Sequence, residues 1–120
     1  MRETVFVVED DDELRYALGE LLSVEGHHVV CLANGRQAID LLRVSAETPS
    51  LIITDLTMPV MDGVQLVRAV RGDARYRSIP IIVLTGKNDT MVPVQLDTPV
   101  VYKPDFESLL RMIPAAVGSA

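Results

Sequence analysis

A parallel-sheet α/β fold is predicted by three observations on this chain of 120 residues. Short apolar runs alternate along the chain with segments of helical spacing, the pattern of βαβ units. The run Ile79 to Leu84 is apolar on both faces, as a strand inside a parallel sheet must be. Four runs also end on polar residues of different chemistry: Glu9-Asp10, Asp55, Thr85 and Lys103. Ligand sites of such sheets lie in the crevice beyond the carboxyl ends of the strands, where all of these would meet.

The elements follow in order. Strand one is about Thr4 to Val8, and a helix from near Asp12 carries Leu14, Leu18, Leu21 and Leu22 on one face, with Gly26 as its stop. Asp11, Asp12 and Glu13 suit the positive end of that helix. Strand two is about His28 to Leu32. Within it Cys31 is expected to be a small buried hydrophobe, and His27 and His28 have no third ligand in view for a metal. Asn34-Gly35 is expected to turn the chain into a helix with Ala38, Ile39, Leu41 and Leu42. Strand three ends at Asp55, and the loop Thr57 to Gly63 leads to a helix with Val64, Val67 and Val70.

The next stretch departs from the pattern. Pro93 and Pro99 interrupt the region where a helix should join strands four and five, so the fourth helix is expected to be short or missing and Asn88 to Thr98 to be mobile and partner-selecting. Strand five is Val100 to Tyr102. Phe106, Leu109, Leu110 and Ile113 form a last helix that Pro114 is expected to stop. One domain, 1–114, followed by a frayed tail, 115–120, is the expected organisation.

Composition narrows the function. A net charge of −6 argues against a direct nucleic-acid surface, which needs clustered cations. No apolar run approaches the roughly 20 residues of a membrane span. Val5 to Val8 runs into acidic residues rather than a cleavage site, so a cytoplasmic protein with no membrane partner is expected. The single cysteine excludes an internal disulfide.

Glu9, Asp10 and Asp55 supply the hard oxygen ligands that Mg²⁺ takes, and three carboxylates in one crevice repel one another unless a cation neutralises them. Asp55 is the candidate nucleophile, since a carboxylate accepts a phosphoryl group as an acyl phosphate. Lys103 offers a mobile ammonium and Thr85 a hydroxyl for phosphoryl oxygens. Catalysis of such transfer is mostly positioning and charge neutralisation.

The stretches Val7-Val8-Glu9-Asp10-Asp11-Asp12-Glu13-Leu14-Arg15, Asp55-Leu56-Thr57-Met58-Pro59-Val60-Met61-Asp62-Gly63, Leu84-Thr85-Gly86 and Tyr102-Lys103-Pro104 resemble the receiver domain of two-component response regulators. The resemblance implies a flavodoxin-like, doubly wound five-stranded parallel sheet of order 2-1-3-4-5 with helices on both faces. It implies Asp55 as phosphoacceptor and Glu9, Asp10, Asp55 and the Thr57 backbone carbonyl as Mg²⁺ ligands. Lys103 would then be the phosphoryl clamp, and Thr85 and Tyr102 the switch pair. A cis Lys103-Pro104 bond is implied as well. The partners would be a histidine kinase or phosphotransfer protein and an unnamed output protein, in a signalling phosphoacceptor rather than a classical enzyme. A stand-alone regulator and a receiver within a longer chain, such as a hybrid kinase, both fit.

Two positions and one element depart from the family pattern. Glu9 stands where Asp is more frequent, Gly86 where Ala is usual, and the fourth helix is expected to be degraded. Two rival readings remain: a haloacid-dehalogenase-type phosphatase, which would need an acid at position 57 where this chain has Thr57, and a receiver-like module that is never phosphorylated.

Overall fold

A computed structural model describes residues 3–86, 98–103 and 106–118. Its strands are β1 (Thr4–Val8), β2 (His28–Leu32), β3 (Leu51–Asp55), β4 (Ile81–Thr85) and β5 (Val100–Tyr102). They form one sheet in the order β2-β1-β3-β4-β5, with every neighbouring pair parallel. Parallel neighbours require crossovers: α1 (Asp12–Val24), α2 (Gly35–Val44) and α3 (Gly63–Arg71) make the first three, and α4 (Phe106–Gly118) follows β5. This is the flavodoxin-like arrangement.

Alternation along the strands sorts the core into two layers. Val5, Val7, Leu51, Ile53, Ile82, Leu84 and Val101 pack with Leu18 and Leu22 of α1 and Leu109 and Ile113 of α4. Phe6, Val8, Ile52, Ile81 and Val83 face the other way, against Ala38, Ile39 and Leu42 of α2 and Leu66, Val67 and Val70 of α3. The interior strands β3 and β4 are buried at every position, which explains their unbroken apolar runs.

Asn34-Gly35 turns the chain into α2 as expected, the Asn34 side chain accepting from the Gln37 N–H as the cap of a helix whose first residue is Gly35. Two expectations are corrected. Cys31 is exposed rather than buried, because β2 is the sheet edge and the helix residue facing Cys31 is Gly19, which has no side chain to cover it. Pro114 does not stop the last helix, which continues to Gly118. Proline removes one backbone donor, but its fixed φ is itself helical, so the chain continues past it. The tail expected over 115–120 is thus helical as far as Gly118. The region 87–97 and the Lys103-Pro104 bond lie outside the described residues, and the expectations about mobility and a cis peptide lie there with them.

Candidate functional site

The first acidic segment is fixed by continuing the ladder one residue past β1. The Glu9 N–H donates to the Leu32 carbonyl at 2.9 Å, and the Glu9 side chain turns inward to 2% exposure. Its Oε2 accepts the Asp11 N–H at 3.1 Å. Asp11 in turn caps α1 through the Leu14 N–H, so Glu9-Asp10-Asp11 is a tight link between strand and helix. Asp10, between these anchors, is exposed to the crevice.

Asp55 ends β3 and is 7% exposed. Its Oδ1 accepts the Leu56 N–H at 2.7 Å, while its Oδ2 lies 2.9 Å from Lys103 Nζ. Behind it the chain is packed without slack: a Cβ on Gly63 would sit 2.1 Å from the Asp55 carbonyl oxygen. Only glycine permits α3 to start there.

Lys103 follows β5, where its N–H donates to the Thr85 carbonyl at 2.7 Å and extends the β4–β5 ladder. Its ammonium lies 2.9 Å from Glu9 Oε1 as well as from Asp55 Oδ2. Burial works against the Lys103 charge, but the two carboxylates outweigh it and hold the ammonium above its usual range. The contact with the buried Glu9 Oε1 is an ion pair rather than a well-directed hydrogen bond. Burial, opposed by Lys103 and the Asp11 N–H and reinforced by the nearby Asp55 charge, pushes the Glu9 carboxyl up to about 7.

The sequence-derived set is therefore largely brought together. One carboxylate oxygen each from Glu9, Asp10 and Asp55 lie within 4.8 Å of one another, with Lys103 against two of them. Thr85 is fully buried at the end of β4, in register with Tyr102 on β5. Tyr102 is 45% exposed. Thr57 is exposed just past Asp55, and Met58 and Met61 pack beneath the loop. His28 is exposed at the opposite end of the sheet. Sequence reasoning missed Arg15, whose guanidinium reaches the Glu9 carbonyl. Its only sequence signal was a cation three positions after Asp12 on a helix.

Comparison with known proteins agrees with this geometry. Residues 5–98 match the response regulator receiver domain. The chain belongs to the response regulator receiver family. This receiver is 38% identical over 86 residues to the transcriptional regulatory protein AfsQ1 of Streptomyces coelicolor, covering 72% of the chain and 36% of AfsQ1. It is 40% identical over 92 residues to hybrid signal transduction histidine kinase D of Dictyostelium discoideum, covering 77% of the chain and 6% of the kinase. The receiver domain of sensor histidine kinase PA1611 from Pseudomonas aeruginosa superposes with a TM-score of 0.86 at 25% identity, covering 98% of this chain and 99% of that one. That structure holds a magnesium ion coordinated in its active site cleft. Receivers are signalling modules of two-component systems, so the phosphatase reading falls. Among the described residues, no helix of this receiver is long and apolar enough to cross a membrane.

Proposed function

We propose that this receiver takes a phosphoryl group onto Asp55 from the phosphohistidine of a histidine kinase or phosphotransfer protein, uses Mg²⁺, and thereby switches its contacts with an output protein. The observation that carries the reading is the convergence of Glu9, Asp10, Asp55 and Lys103 from three strand ends.

The residues fit a hard divalent cation. Three carboxylates against one ammonium leave two negative charges, and the Lys103 ammonium is shared between Glu9 Oε1 and Asp55 Oδ2. Glu9, Asp10, Asp55 and the Thr57 carbonyl would hold the ion. When bound, Mg²⁺ supplies charge neutralisation for the incoming phosphoryl oxygens. The magnesium ion in the PA1611 receiver supports this choice.

The chain's own groups do the rest. The Leu56 N–H and Lys103 orient the Asp55 carboxylate. One of its oxygens forms the new O–P bond as the P–N bond of the donor breaks, and the electron pair leaves on the imidazole nitrogen. Lys103 then exchanges a carboxylate oxygen for a phosphoryl oxygen. Phosphorylation adds about −1.5 to −2 charges and new acceptors, which draw the Thr85 hydroxyl inward. Tyr102, in register with Thr85, rotates into the space vacated. Output runs through protein contacts in the cytoplasm, since the net charge of −6 disfavours direct nucleic-acid binding.

The test is labelling with a radioactive small acyl phosphate. Wild type takes label only with Mg²⁺, and Asp55→Asn takes none. Equal labelling of Asp55→Asn overturns the assignment, and an unlabelled wild type returns the chain to the class of unphosphorylated interaction modules.

A further inference from the structure

We propose that Arg15 is a positioning residue for the metal-binding carboxylates, acting through the main-chain carbonyl of Glu9. The inference rests on the Mg²⁺ reading above and adds a residue that touches neither metal nor phosphoryl group.

Arg15 sits in the first turns of α1, six residues after Glu9, with its side chain only 21% exposed. Its Nη1 donates to the Glu9 carbonyl at 2.8 Å. Its Nη2 is paired with the Asp12 carboxylate, which fixes the guanidinium plane. The carbonyl it grips belongs to the Glu9–Asp10 peptide, so the bond sets the direction in which Asp10 leaves the strand. On the other side of the same link the Asp11 N–H is held by Glu9 Oε2, and Asp11 is held as the α1 cap. Asp10 itself has an exposed side chain and lies between these restraints. Arg15 is thus the tie between helix and strand that keeps the Asp10 and Glu9 carboxylates converging on Asp55. Groups that orient metal ligands matter nearly as much as the ligands do.

The sign of the effect separates this role from a purely electrostatic one. Removing a cation from the first turns of α1 makes the surroundings of the site more negative, which by charge alone does not weaken Mg²⁺ binding. Loss of a positioning tie loosens it. The experiment is titration of the full chain with MgCl₂ alone, following the Asp11 and Leu56 amide resonances, for wild type, Arg15→Met and Arg15→Lys. Thermal unfolding is recorded beside each titration. The expected result is Mg²⁺ affinity weaker by about tenfold in Arg15→Met, with partial recovery in Arg15→Lys, which keeps one donor. Affinity unchanged or tighter in Arg15→Met overturns the inference while leaving the Mg²⁺ reading intact. If Arg15→Met does not fold, Arg15→Lys decides by the same criterion. A wild type that binds no Mg²⁺ overturns both.

Discussion

At the scale of single residues, the loop after β3 carries the plainest strain. Val60 has φ 69°, and the Met61 N–H closes a tight turn around it onto the Pro59 carbonyl at 2.8 Å. A β-branched residue in the left-handed region costs on the order of 1–3 kcal/mol. Val60 is 78% exposed, so no packing offsets that cost. Val60→Asn should therefore stabilise the protein by about 1 kcal/mol, read as a shift of the urea midpoint at unchanged slope. A lower midpoint would contradict it. Gly63 carries the opposite sign: Gly63→Ala drives a methyl into the Asp55 carbonyl and should cost about 3 kcal/mol. Phosphoacceptor labelling of the folded fraction should fall with it, and wild-type labelling would show that α3 can shift freely. Glu9 links the site to pH. Its carboxyl is raised from 4.5 to about 7, chiefly by burial, so the metal-free folded state holds that proton more tightly than the unfolded chain does. The stabilisation is complete below about 4.5 and lost as pH rises through about 7. Mg²⁺ must displace the same proton, so its affinity should climb from pH 5.5 to 7 and flatten above. A dissociation constant flat across that range would remove Glu9 from the ligand set.

At the scale of elements, three helix starts are locally encoded, as is the end of α1 at Gly26 with its φ of 96°, while the end of α4 is not. Asp11, Asn34 and Asp62 each cap a helix through the N–H three residues on, and Gln65 completes a capping box with Asp62. Asp62→Ala should cost about 1 kcal/mol. Hydrogen exchange in the first turn of α3 should speed up as a result, and unchanged protection would mean that tertiary packing alone holds α3. The five strands were legible because apolar runs bounded by turn residues leave few alternatives. The end of α4 was not: Pro114 reads as a stop on propensity alone, yet Ile113 and Leu109 are buried against the sheet and hold the helix in place around it. The exposure of Cys31 was hidden for a related reason. An edge strand and an interior strand of five residues look alike until the order of strands is known.

At the scale of the whole molecule, the chemistry of the site was legible where residue type alone determines it, as for three carboxylates and one lysine at strand ends. The order of the strands followed from the resemblance rather than from any pairwise signal in the residues. Arg15 stayed hidden because its partner is a backbone carbonyl, and a carbonyl has no residue type. The two-layer core makes the domain depend on both helix pairs. Leu109, fully buried in the layer shared by α1 and α4, is expected to cost about 2–5 kcal/mol when cut to alanine. Lys103, the cation that pairs with both Glu9 and Asp55, rides on β5, the last strand in chain order. On a ribosome Glu9, Asp10 and Asp55 are therefore made first and wait, mutually repelling, for a counter-ion that follows Asp55 by nearly fifty residues. A half-made chain lacks the one cation of this cluster, which arrives only with β5.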